Sequence, residues 1–481
     1  MTLILIPLLP LLAALLSLLP AGKRFAPAVT LAAMLGGLAL AGVAASRVLA
    51  AQQWVAITGW VELDGLSALV LLLVAFLNVT AALFSWGYMG AHVEPQRLRS
   101  YYAHFNLFAF SLLLVPVLAE PALVWIAIEF TAVFSVLLVA FDDTKAALEA
   151  AWKYIALMFM GAAIALLGFF ILFWAQQKAG GGHYSWNGLS AISPGLPPTL
   201  VLSAFLLILV GFGVKVGFVP LHTWLPDAHS QAPAPVCALL SGVKTTNALY
   251  VILRLAELLP SDRAAGWMQA VGLTSAGVAA ILLLQVRDYK RLFAYSTVEH
   301  MGIIFVAAGL GTGGLYGAML QMLAHSLTKS FCFLAAGAAL FVLGTRDIAS
   351  VRGLLRQSPI AGSALLLAGL AIGGAPPFAV FLSEFSIFRA GLEQAHFLVT
   401  GLLVAFVVVA FSGILLHINR IVLGTPLPAT TGPGRVHLPR ACVLALVVAA
   451  VPVLVFGLYQ PGPLQTLLRL AASTLTPVSP R

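Results

Sequence analysis

Apolar stretches about 20 residues long recur along almost the whole chain, and that recurrence leaves few folds open. Hydrocarbon offers no water to satisfy backbone amides, so a spanning segment must close its own hydrogen bonds. A helix of about 20 residues does so while crossing the bilayer core. Fourteen stretches can be marked: 2–20, 27–46, 64–86, 103–119, 121–141, 153–176, 198–220, 233–256, 266–285, 292–311, 314–342, 358–392, 396–419 and 440–459. The fourth and fifth almost touch at Glu120–Pro121, which leaves thirteen as the other reading. The expected fold is an all-α polytopic membrane protein. With 61% of the 481 residues hydrophobic and only 9% charged, a soluble multidomain protein is excluded. The net charge of +9 comes from basic residues scattered singly through loops, with no stripe that would suit nucleic acid.

The first run, followed rather than preceded by Lys23 and Arg24, reads as a retained span and not a signal peptide. Placing the N-terminus outside and alternating the loops puts about twice as many Lys and Arg inside as outside, the usual positive-inside bias. The inner set runs from Lys23 through Lys290 to Arg440, and the outer set includes Arg254. Both termini are therefore expected on the outer face of a bacterial-type inner (cell) membrane.

Two stretches are irregular. The seventh carries Gly211, Gly213 and Gly217 before Pro220. The twelfth is too long for one straight crossing and holds Gly373, Gly374, Pro376 and Pro377 at its middle. Both read as broken helices, since proline removes a donor and clashes with the preceding turn. Seven and twelve differ by five, so repeats of five spans would have inverted topology. The expected division is 1–102 as an N-terminal three-helix segment, 103–257 and 258–420 as the two repeats, and 421–481 as a C-terminal loop and final helix.

Charge inside hydrocarbon is expensive, so intramembrane ionisable residues are candidates for an ion path. Five are evident: Glu129, Lys215, Lys244, Lys329 and Glu384, with His300 and His325 at similar depth. Glu129 and Lys215 are expected to pair, either as a static ion pair or as a gate on the lysine's proton. His325 and Lys329 are four apart and share a helix face, which suits a relay or a satisfied core histidine. Glu299 and His300 are adjacent and point about 100° apart. Lys244 stands beside Thr245, Thr246 and Asn247. Glu384 follows the second break and reads as a terminal acceptor or as a cap for freed amides.

His222, Asp227 and His229 lie close in sequence without a further ligand nearby, so no metal site is expected. Cys237, Cys332 and Cys442 are dispersed in apolar runs without the spacing of a disulfide framework or iron–sulfur cluster. No nucleotide or flavin signature is present, so neither a cofactor nor a catalytic residue is expected in this chain.

KVGFVPLHTWLPDAHSQAPAPVCALLSGV, followed by RDYKRLFAYSTVEHMGI, resembles the antiporter-like proton-pumping subunits of respiratory complex I and membrane-bound hydrogenases. RLFAYSTVEHMGI and AHSLTKSFCFLAAG are most similar to the hydrogenase-4 component F branch, and the similarity runs over roughly residues 60–420. The resemblance implies fourteen helices, two inverted five-helix repeats and broken seventh and twelfth helices. It assigns Glu129 to the fifth-helix glutamate, Lys215 to the seventh-helix lysine, His325 and Lys329 to the eleventh-helix relay and Glu384 to the twelfth-helix terminal residue. One position departs: where the family often has a lysine, four residues before Tyr250, this chain has Thr246. Lys244 stands two residues earlier, about 200° around an ideal helix.

The implied function is proton translocation through a mid-membrane relay, within a redox-driven complex of the NADH–quinone oxidoreductase or hydrogenase type. Any electron transfer then sits on partners: other membrane subunits and a peripheral redox or coupling module. The alternatives are a cation/proton antiporter subunit, for which Thr131 and Ser135 near Glu129 offer extra oxygens, a coupling subunit of an inorganic-carbon uptake complex, and a structural membrane anchor. Preserved charge in both halves speaks against the anchor.

Overall fold

Many large apolar side chains lie on the outside of this molecule. Leu398, Leu416 and Phe170 are 76%, 67% and 61% exposed, an arrangement stable only where the surroundings are hydrocarbon. The structure, a computed structural model, describes residues 2–20, 22–259, 261–425 and 437–476. Parts of the expected 421–481 segment, and the side chain of Lys23, lie outside the described residues.

The helices are α1 (Thr2–Ser17), α2 (Gly22–Ala51), α3 (Gly65–His92), α4 (Pro95–Leu114), α5 (Pro121–Val139), α6 (Lys145–Lys178) and the short α7 (Trp186–Ala191). There follow α8 (Pro198–Val216), α9 (Trp224–Gln231), α10 (Ala234–Leu239), α11 (Thr245–Ala256), α12 (Ser261–Leu283), α13 (Tyr289–Ala308), α14 (Thr312–Leu343) and α15 (Leu354–Gln357). The last are α16 (Pro359–Ile372), α17 (Ala379–Glu393), α18 (Phe397–Val422), α19 (Arg440–Leu458) and α20 (Gly462–Thr474). Among the described residues, ten helices are long and apolar enough to cross a membrane: α2, α3, α5, α6, α8, α10 continued into α11, α12, α14, α18 and α19. The chain is a polytopic membrane protein.

Sequence chemistry sets the ends. Glu120 accepts from Leu123 N at 2.7 Å and Pro121 opens α5, so the fourth and fifth apolar stretches are separate helices. Asp64 caps α3 through Ser67 N at 2.9 Å, and Asp288 caps α13 through Lys290 N at 2.7 Å. The antiparallel pair β1 (Trp54–Ile57) and β2 (Val61–Leu63), α7 and α20 were not foreseen from hydropathy. They are too short or too polar to register as spans. Glycines let two helix pairs close up: a Cβ at Gly161 or Gly211 would strike the other's carbonyl across α6 and α8, and Gly272 and Gly302 do the same across α12 and α13.

Helix α14 is the central strut. It packs on α13, α16, α17, α10, α3 and α19, and so touches both breaks' neighbourhoods. The seventh stretch breaks after Val216: Gly217 takes φ +91° and Phe218 N bonds back to Gly213 O at 2.9 Å. Val219 N finds Ser275 Oγ at 3.1 Å and Val214 O accepts from Trp224 Nε1 at 2.7 Å, so the groups freed by the break are paired. The twelfth stretch breaks between α16 and α17, with Gly374 at φ +78° and Ala375 N bonded to Leu370 O at 3.0 Å.

Two charges counted as loop residues are internal. Arg254 is 3% exposed inside α11, and its guanidinium meets Asp64 at 2.5 Å. Lys290 is 2% exposed, and its ammonium donates to Ser230 O at 3.1 Å and Ala232 O at 2.6 Å. Each found a buried partner, which a count of loop charges cannot see.

Candidate functional site

A buried lysine is tolerable only with a counter-charge or a ring of acceptors. Lys215, in the last turn before the first break, has the counter-charge: its Nζ lies 3.0 Å from both carboxylate oxygens of Glu129 on α5. Lys215 is fully buried, and the Glu129 side chain is 12% exposed. The same ammonium lies 3.4 Å from the carbonyl of Met158 on α6.

Lys244 joins this group. Its Nζ is 3.4 Å from the sulfur of Met158 and sits 4.3 Å from the Trp224 ring and 4.5 Å from the Tyr154 ring. Two aromatic faces supply the negative potential that a carboxylate supplies to Lys215. Lys244 closes a π-helical stretch, Leu240–Lys244, that interrupts the helix between α10 and α11. Such a bulge re-phases the residues before it. Thr246 faces elsewhere, donating to Gly242 O at 2.9 Å with its hydroxyl 3.3 Å from Ser326 Oγ on α14. The two lysines thus cluster in the first half, and the position facing α14 is neutral.

Hydroxyls and a carbonyl bridge toward the second half. Ser241 Oγ lies 2.7 Å from Thr297 Oγ1 on α13, and Ser241 O accepts from His325 Nε2 at 3.4 Å. The His325 ring is 5.3 Å from that of His300. His300 Nε2 donates to Ile372 O, the last carbonyl of α16, at 3.0 Å; Gln321 Nε2 donates to His300 Nδ1 at 2.9 Å. That pattern sets the neutral Nε2–H tautomer, assigned from the network. Ser383 Oγ donates to Gln321 Oε1. Glu384, its neighbour on α17, is 4% exposed with its carboxylate against Gly374 in the second break.

Lys329 takes the other route to stability. Its ammonium donates to Phe293 O at 2.8 Å and to Ser296 Oγ. Glu299, one turn further on α13, is 3% exposed and leaves Oε2 without a partner. Near Glu129, Thr131 donates to Ile128 O at 2.6 Å, while Ser135 donates to Thr131 O at 2.6 Å and lies 2.5 Å from the Tyr154 hydroxyl. Asp227 pairs with Arg291 at 2.7 Å and with Lys153 at 3.5 Å, and His229 stacks on Phe333, so the polar turn after the first break is a network of its own.

The structure therefore brings Glu129, Lys215 and Lys244 into one group, and His325, His300 and Glu384 into a second, with Lys329 on the flank. Gln321, Ser383, Ser241, Thr297 and Ser296 were missed. Gln321 had a signal, being four residues before His325 on the same face. The others are ordinary membrane hydroxyls until the tertiary contact is known.

The chain matches the family described as NADH:quinone oxidoreductase/Mrp antiporter, TM, over residues 120–411. It is 36% identical to the hydrogenase-4 component F homolog of Methylacidiphilum infernorum over 412 residues, 83% of this chain and 85% of that protein. A chain of the archaeal membrane-bound sulfane sulfur reductase, a respiratory membrane complex, superposes with TM-score 0.86 at 25% identity, covering 99% of this chain and 98% of that one. A chain of the Mrp complex from Dietzia sp. superposes with TM-score 0.87 at 21% identity, covering 98% and 97%, a likeness of fold.

Proposed function

Because the chain belongs to the NADH:quinone oxidoreductase/Mrp antiporter membrane family, we propose that it is a proton-translocating membrane subunit of a redox-driven complex. What supports this reading is two groups of buried titratable and hydrogen-bonding side chains, Glu129 with Lys215 at the first break and His325, His300, Gln321 and Ser383 at the second, where Glu384 lies beside Ser383 on α17. Water would bridge the gaps, as at Met158 and between the imidazoles. Protons load at the Lys215–Glu129 pair, pass Lys244, cross by Ser241 and His325, and leave by His300 and Glu384. Gln321 sets the direction of the last step. Protonated His300 donates from both ring nitrogens, so Gln321 must turn its oxygen to the ring and release the Ser383 hydroxyl. Lys329 tunes the histidines from the flank.

On this reading the bundle has fourteen spans. The ten long apolar helices are joined by α1, α4, α13 and the broken α16–α17 pair. Residues 103–257 and 258–420 form inverted repeats, after the three-helix segment 1–102 and before 421–481. Both termini face outward, and a thiol placed at 142–144, in the connection between α5 and α6, reacts from the cytoplasm. Other membrane subunits flank the chain, and a peripheral module supplies the driving reaction.

Cation/proton exchange is the second reading, favoured by the Mrp likeness. Purified complex reconstituted in vesicles separates the two. Acidification driven by the partner's redox reaction, sodium-independent and lost in Lys215→Met, supports proton pumping; proton flux that requires a sodium gradient selects exchange.

A further inference from the structure

One buried polar set branches from this path at Lys244. Lys244, Asn247, Tyr250, Arg254 and Glu257 are three, three, four and three residues apart, so they line one face of α11 from mid-membrane to its end. Lys244, Asn247, Tyr250 and Arg254 are all buried. Asn247 donates to Leu112 O at 3.0 Å while its Oδ1 has no partner. The Tyr250 hydroxyl lies 3.1 Å from Ser67 Oγ. Arg254 Nη2 donates to the same Ser67 oxygen at 2.7 Å and to Asp64 Oδ1 at 2.6 Å. Glu257 accepts from Ser190 Oγ at 2.7 Å, and burial pushes its carboxyl up to about 7. It borders a mostly apolar cavity of about 60 Å³ with Thr312 and Met268.

A row of polar groups from a central lysine to a half-buried carboxylate at the helix end invites protons to return. Neutral Lys244, Tyr250 and Glu257 can accept or pass a proton, and the unpartnered Oδ1 of Asn247 can accept a hydrogen bond from a bridging water; Arg254 is the exception. The guanidinium of Arg254 stays charged, has no lone pair to offer, and repels an incoming proton. It stands between Glu257 and Tyr250, held from α3 by Asp64 and Ser67. We infer that the Arg254–Asp64 pair is a proton seal: it closes the α11 stripe, so that protons brought to Lys244 leave only through the second half. This rests on the proton-translocating reading. A plain structural clasp between α3 and α11 is the alternative.

The test uses the complex reconstituted in vesicles. Asp64→Asn combined with Arg254→Gln leaves a neutral hydrogen-bonding pair and no stranded charge. The expected result is passive decay of an imposed pH gradient faster by about tenfold, slowed again when Asn247→Leu is added. Normal assembly with wild-type tightness overturns the seal. A second arm needs no change in the pair. Glu257→Cys should react with a membrane-impermeant maleimide only from the face opposite the α5–α6 connection, and Asn247→Cys from neither face. Labelling of Asn247→Cys from the Glu257 side overturns the seal even where the double variant fails to assemble. The underlying reading fails separately, by pumping that does not depend on Lys215.

Discussion

The two broken helices solve one electrostatic problem in opposite ways. At the first break a buried ammonium meets a carboxylate at 3.0 Å, and a second lysine rests against two aromatic rings nearby. At the second break no cation approaches Glu384 within ion-pair distance among the described residues; a neutral chain from His300 through Gln321 to Ser383 stands beside it. Each break also borrows a ring N–H for a freed carbonyl: Trp224 to Val214 O in one, His300 to Ile372 O in the other. The tryptophan cannot titrate and the histidine can. The first break is thus held by charge, and moving a proton there means opening an ion pair. The second is held by reorientable hydrogen bonds, and moving a proton there means turning an amide.

Removing the charge should have the largest effect. Lys215→Met is expected to cut pumping about 100-fold, and to destabilise the protein by about 3–5 kcal/mol through the stranded Glu129. Adding Glu129→Gln should return the stability but not the pumping, read by thermal melting of the complex beside vesicle acidification. If the double variant pumps, the pair is not the loading site.

Glu384→Gln comes next. No hydrogen bond or ion pair is lost, so stability should move by no more than about 1 kcal/mol while proton release stops and partner redox chemistry continues with an artificial acceptor. A normal proton-to-electron ratio in vesicles would reduce Glu384 to a filler of the break.

Gln321→Leu probes the amide directly. It strands His300 Nδ1, at about 1–3 kcal/mol, while Ser383 Oγ keeps Val380 O at 2.8 Å, and it should slow pumping about tenfold, the equivalent of about 1.4 kcal/mol of barrier. Equal slowing in Gln321→Leu and in Thr246→Val, in the hydroxyl bridge between halves, would deny the second break its special role.

The smallest difference should come from paired glycine substitutions. Gly217→Ala and Gly374→Ala both force a Cβ into the left-handed region, at about 1–2 kcal/mol each. At Gly217 the new methyl meets Leu225 Cδ1 at 2.7 Å, and at Gly374 it meets the Glu384 carboxylate. At matched stability, Gly374→Ala should therefore lower the pumping rate more. The reverse order would mean that the first break is the more sensitive.

Hydropathy and punctuation alone set the apolar segments, the two breaks and the identity of the mid-membrane charges, but not of Glu62, Arg254 and Lys290. In hydrocarbon each of those is a local matter: a segment either closes its own hydrogen bonds or it does not, and a charge in it needs a reason. Which charges meet is not local. Lys244 joins Lys215 because a π stretch and two rings from α6 and α9 place it there, and α-helical counting could not foretell that. Arg254 and Lys290 passed for loop charges because their partners, Asp64 on one side and the carbonyls of Ser230 and Ala232 on the other, lie far away in sequence. Gln321 and Ser383 acquire chemistry only when α14, α13 and α17 converge on the second break. A hydroxyl or amide in a membrane helix can always bond to its own backbone, so composition assigns it nothing; only the tertiary contact decides whether it bonds across to another helix.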